Sequence, residues 1–89
     1  MIHELKFVRE IDEVLIHVDQ FGVRFIAGWT VDIPKDAALN YVQTYNQNPN
    51  AGFFEHSGKV ILSHQSAKIT LTKQEAVAVT DLIRAAYLG

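Results

Sequence analysis

Histidine is the side chain that changes charge near neutral pH and the commonest metal ligand. The 89-residue chain has four, His3, His17, His56 and His64. Zinc sites are usually built on close ligand pairs, such as two positions three or four apart on a helix, and these four show no such spacing. His56 and His64 are the nearest pair, and the alternation around them predicts opposite faces of one hairpin. No metal and no other cofactor is expected. The plain reading is three exposed strand histidines, with His64 tucked beside Ala67.

Nucleophilic and acid–base chemistry find equally little to work with. Ser57, Ser63 and Ser66 lie in no Gly-x-Ser-x-Gly elbow, and Ser63 beside His64 on a strand points to the opposite face. Glu10, Asp12 and Glu13 cluster at a turn, where solvated charge is the ordinary explanation. Asp19, Asp32, Asp36 and Glu75 have turn or cap roles. Glu55 is the one carboxylate whose strand parity sets it on an apolar face, near an end where it reaches solvent. The five glycines are isolated, without the clustering of a phosphate cradle. Phe53 and Phe54 split between faces, so only Phe54, flanked by Lys59 and Lys68, offers a surface ring for stacking.

Composition narrows the classes further. With 48% apolar and 20% charged residues the chain can form a core, and its length predicts one α+β domain over residues 1–89. Eight Lys/Arg against ten Asp/Glu, singly dispersed, argue against nucleic acid as partner. The chain lacks cysteine, which excludes disulfides and thiolate sites and points to a reducing interior. Neither a signal-peptide layout at the first residues nor an apolar run of membrane-spanning length is present. A cytoplasmic protein with no membrane partner is the expectation.

The elements that would position any site follow from periodicity. Residues 2–9 supply a strand that reverses near 10–13. Val14, Ile16 and Val18 alternate with Leu15, His17 and Asp19, and after the connection Asp19-Gln20-Phe21-Gly22 the series Val23, Phe25, Ala27, Trp29 and Val31 alternates with Arg24, Ile26, Gly28 and Thr30. An even loop, of two or four residues, puts the Val14 and Val23 series on one core-directed face, whereas a three-residue loop would mix them. A helix follows, with Asp32 as its cap, Pro34 in its first turn, and Ala38, Tyr41, Val42 and Tyr45 along its buried side. The tract Asn46-Gln47-Asn48-Pro49-Asn50 stops it. Three short strands over 51–56, 59–64 and 67–71 are joined at Ser57-Gly58 and Gln65-Ser66. They set Val60 across from Leu71, Leu62 from Ile69, and Phe53 from Leu62. Thr72-Lys73-Gln74-Glu75 is a capping box opening a final helix with the stripe Ala76, Val79, Ile83 and Ala86. The expected architecture is an antiparallel sheet of five or six strands, ordered βββ-α-βββ-α, with the C-terminal helix packed on one face.

One surface needs explaining in that picture. Phe54 and Ile61 face each other on the polar side of the second hairpin, among Lys59 and Lys68. A four-residue loop likewise pairs Leu15 with Ile26 on the outer side of the first. Contiguous apolar patches often mark interfaces. Three uses are open: cover by the first helix, self-association as a homodimer, or docking of a different protein. The expected function is a non-catalytic interaction module, an accessory or regulatory protein that binds a larger one, in the manner of small phage inhibitors. The alternative is a small enzyme or ligand-binding domain whose pocket forms at a homodimer interface, using His17, Glu55 or His64.

Overall fold

A computed structural model describes residues 3–45 and 52–89. Strands β1 (His3–Val8), β2 (Glu13–Val18), β3 (Gly22–Ile26) and β4 (Thr30–Pro34) form one antiparallel meander in chain order. Helix α1 (Lys35–Gln43) follows, then a second meander of β5 (Phe53–His56), β6 (Lys59–His64) and β7 (Ala67–Leu71), and finally α2 (Lys73–Tyr87). The fold is α+β as expected, but it has a four-stranded and a three-stranded sheet in place of one sheet of five or six, and its order is ββββ-α-βββ-α. Helix α1 already ends at Gln43, with Thr44 as its C-cap, so Tyr45 lies beyond the helix and not on it. The tract over 46–50 expected to stop it and act as a connector, and the strand starts expected at residues 2 and 51, lie outside the described residues.

The extra strand arises from one backbone feature. The alternating run from Val23 to Val31 has the period of a single strand, but Gly28 takes a φ of +86°, a conformation that costs glycine little and other residues much. The Ala27 N–H donates to the Trp29 carbonyl at 2.8 Å, and the chain reverses so that Ile26 pairs with Thr30. Trp29 therefore leaves the core stripe for the loop, where it is 45% exposed. Asp32 becomes a residue of β4 and not the helix cap. Helix α1 instead begins behind Pro34, with no side-chain cap and with Asp36 in its first turn.

The β2–β3 connection is the even loop that parity demands. Val18 pairs with Val23 across Asp19–Gly22, so Val14, Ile16, Val18, Val23 and Phe25 share one buried face. Asp19 Oδ1 organises this loop by accepting the N–H groups of Phe21 and Gly22 at 2.8 and 3.1 Å. A side chain at position 22 would collide with the Ile33 carbonyl on β4. In the second meander the expected registers hold: Phe53 pairs with Leu62, Leu62 with Ile69, and Val60 with Leu71.

Both sheets turn their apolar faces to a common core. It joins those residues with Ile33 of β4, Ala38 and Val42 of α1, and Ala76, Val79 and Ile83 of α2. Helix α2 packs against β1, β2, β6 and β7, so it bridges the two sheets and does not simply cover one face of a single sheet. Helix α1 packs against β3, β4 and α2 on the same inner side. The capping box is formed, with the Glu75 N–H donating to Thr72 Oγ1 at 3.0 Å and the Thr72 N–H to Glu75 Oε1 at 2.9 Å.

Candidate functional site

The residues that tie the halves together account for several polar side chains. Arg9, in the β1–β2 turn, donates to both oxygens of Glu75 (3.1 and 2.6 Å) and to the Thr70 carbonyl of β7 (3.2 Å). Burial disfavours the charged form of Glu75, but the bonds from Arg9 and the Thr72 N–H outweigh it and hold its pKa below the ordinary value. The Tyr87 hydroxyl donates to the Asp19 carbonyl at 2.6 Å, with Lys35 over the Tyr87 ring. Tyr41 donates to the Ser63 carbonyl at 2.8 Å, leaving its oxygen to accept from His64 Nδ1 at 3.0 Å. Burial raises the pKa of both tyrosines.

The residues with chemical potential are thereby kept apart. His17 lies on the outer face of the four-stranded sheet, between Glu4 and Asp19 at 3.3 and 3.7 Å. His3 and His17 are half-buried, so of the three histidines expected to be exposed only His56 is so. His64 pairs with Ala67 at the edge of the core, as parity requires. Glu55 reaches solvent near a strand end and meets Lys73 at 3.0 Å. His17 thus sits on a different sheet from Glu55 and His64. Among the described residues no group of three or more His, Cys, Asp or Glu is arranged to hold a metal ion.

The outer face of the four-stranded sheet is ordered in cross-strand rows. Glu4, His17, Arg24 and Asp32 are successive partners across β1 to β4. In that row Arg24 Nε donates to Asp32 Oδ1 at 2.6 Å. Asp19 flanks it, its pKa lowered chiefly by the Phe21 N–H. Beside these charges is an open groove of about 370 Å³, edged by Phe21, which is 76% exposed, and by Pro34. The next row is Lys6, Leu15, Ile26 and Thr30, and Lys6 also pairs with Glu13 at 3.3 Å.

Leu15 and Ile26 face each other there as the sequence expects. They are half-buried, yet they stand outside the core cluster and line a second open depression of about 580 Å³ with Lys6, Glu13 and Ala27. Phe54 and Ile61 are likewise directly opposed and half-buried, on the outer face of the three-stranded sheet. Lys59 and Lys68 are exposed beside them. Helix α1 packs on the inner side, so among the described residues no helix covers either pair. The two pairs belong to different sheets, however, and do not lie on the wet side of one sheet as the sequence suggested.

Residue-type reasoning missed the apolar side chains at the loops: Val8 and Ile11 around the first turn, 73% and 95% exposed, with Phe21 and Trp29. Loop length was the available signal, since a residue in a turn has no core face to occupy. No known family model, curated protein or solved structure matches this chain.

Proposed function

We propose that the chain is a non-catalytic protein-interaction module, an accessory or regulatory protein that acts by docking a larger protein on its outer sheet faces. The observation that carries this reading is the Leu15–Ile26 pair. It is an apolar cross-strand couple excluded from the core, in an open depression between charged side chains that would form a polar rim. Central apolar contacts within a polar rim are the general anatomy of protein interfaces. The Phe54–Ile61 pair, with the exposed Lys59 and Lys68 beside it, is a second outward apolar couple, suited to an acidic rim on the partner.

A second reading, a small-ligand site, draws its support from the groove lined by His17, Asp19, Arg24 and Asp32. Against it, Arg24 and Asp32 are paired with each other and His17 stands between Glu4 and Asp19, so the charges along the groove offset one another. The two readings separate on charged replacements at Leu15, Ile26, Phe54 or Ile61. The interaction reading expects loss of a defined complex from a folded monomer. Variants that bind as the wild type does, or that unfold, contradict it.

A further inference from the structure

β1 lies at the edge of its sheet, and no strand pairs with its far side among the described residues. The turn bond from the Arg9 N–H to the Asp12 carbonyl fixes which way its main chain faces. Antiparallel pairs alternate between bonded and non-bonded, so the odd residues of β1 bond to β2 and the N–H and C=O of Glu4 and Lys6 point outward. The side chains of Glu4 and Lys6 are both more than half exposed. On the inner side Leu5 and Phe7 are only partly buried, whereas Val14 and Ile16 opposite them on β2 are fully so. Leu5 and Phe7 thus pack at the margin of the core beside α2, with part of their surface left uncovered by the described residues.

We propose that the chain forms a twofold dimer in which β1 pairs antiparallel with β1 of a second copy, centred on Leu5. Among the registers centred on the middle of the strand, at Glu4, Leu5 or Lys6, charge selects this one. Parity requires inner residues to face inner residues, which leaves pairings centred on a residue. Centred on Glu4 or on Lys6, the strands oppose like charges, glutamate on glutamate or lysine on lysine. Centred on Leu5, Glu4 faces the partner's Lys6, and Lys6 faces the partner's Glu4. The outward main-chain groups of Glu4 and Lys6 then exchange hydrogen bonds with those same residues, and Leu5 meets Leu5 of the partner subunit over the core. An isolated lysine on an edge strand discourages pairing; here the glutamate two residues away makes the edge self-complementary.

The other edges lack this property. β4 centres on Asp32, which would meet its own charge, and ends at Pro34. β5 has only four residues. On β7 the Thr70 carbonyl is taken by Arg9. Joining β1 to its copy gives one continuous sheet whose outer face presents both Leu15–Ile26 pairs on the same side, so a partner with two matching contacts would bind with avidity. The dimer does not depend on the interaction reading above, because its contacts are on the strand edge and not on the outer face.

Sedimentation equilibrium of the full chain tests it. The expected mass is twice the 10.0 kDa of one chain. Glu4→Lys and Lys6→Glu should each give folded monomers, since each sets like charges across the twofold. Mixed together, these two variants should form a heterodimer, because both charged pairs across the interface are then opposite in sign. The double exchange Glu4→Lys/Lys6→Glu should restore the homodimer. A monomeric wild type across the micromolar range overturns the proposal, as does a dimer indifferent to either single variant or a mixture that stays monomeric. Circular dichroism on each variant confirms that mass changes occur between folded chains.

Discussion

Arg9 and Glu75, 66 positions apart, are held by two hydrogen bonds of 3.1 and 2.6 Å, and Glu75 Oε1 also closes the cap of α2. One carboxylate therefore starts the last helix and fastens it to the first turn of the chain. Truncating either partner removes both of these bonds and leaves the other, partly buried, with only its remaining contacts, Thr72 for Glu75 and Thr70 and Asp12 for Arg9, at a cost of about 1–3 kcal/mol. Arg9→Ala and Glu75→Ala should each lower the unfolding free energy by that order in a urea titration. The double variant should lose markedly less than the sum. Additive losses would mean the two residues act separately.

The same pair predicts how stability responds to acid. The folded pKa of Glu75 is lowered, so its contribution is fully present above the unfolded value of about 4.3 and is lost as pH falls through the folded one. Glu75→Gln should be less stable than the wild type at neutral pH, and the gap should narrow as pH drops below about 4. Denaturant midpoints measured along that pH series check the sign; a gap that widens towards acid contradicts it.

Much of this architecture is legible from residue types because side-chain period and turn chemistry are local. The second meander has its expected register: Gly58 has φ +79° and Ser57 has φ +52°, the left-handed pair a two-residue turn of this kind requires. Thr72 and Glu75 form their box for the same reason. What was not legible depends on distant chain. Val23 to Val31 reads as one strand because a glycine inside an alternating run is compatible with both a strand and a turn, and Asp32 reads as a cap because nothing local announces Arg24 across β3. The candidate pairs were found by cross-strand parity, which is local. That they lie on two sheets was not, since α2 packs against both and that contact is tertiary.

Trp29 offers a direct check on the revised hairpin. Held in the loop, it should tolerate Trp29→Gln with a change within about 0.5 kcal/mol, whereas Phe25→Ala, which empties a fully buried site, should cost about 3–5 kcal/mol. Thermal melts of the two variants distinguish this arrangement from a single long strand, in which both aromatics would be core.

Gln65 has a φ of +56° in the β6–β7 turn, a region unfavourable for a residue with a Cβ by about 1 kcal/mol or more. Gln65→Gly should therefore stabilise the chain, by up to about 1 kcal/mol. A rise in melting temperature supports this; a fall would show that the glutamine side chain contributes more than its backbone conformation costs.

The claim that the outer face of the four-stranded sheet is a docking surface is tested most directly at Leu15 and Ile26. Leu15→Glu combined with Ile26→Lys sets an opposite-charge pair across β2 and β3, which a solvated sheet face accommodates. The measurement is co-purification of a complex of defined mass and stoichiometry from cells, with a thermal melt of each purified chain. The wild type should bring down its partner, and the double variant should lose it while melting within a few degrees of the wild type. A variant that unfolds would show this face to be core, and one that still carries the partner would show that the protein binds elsewhere.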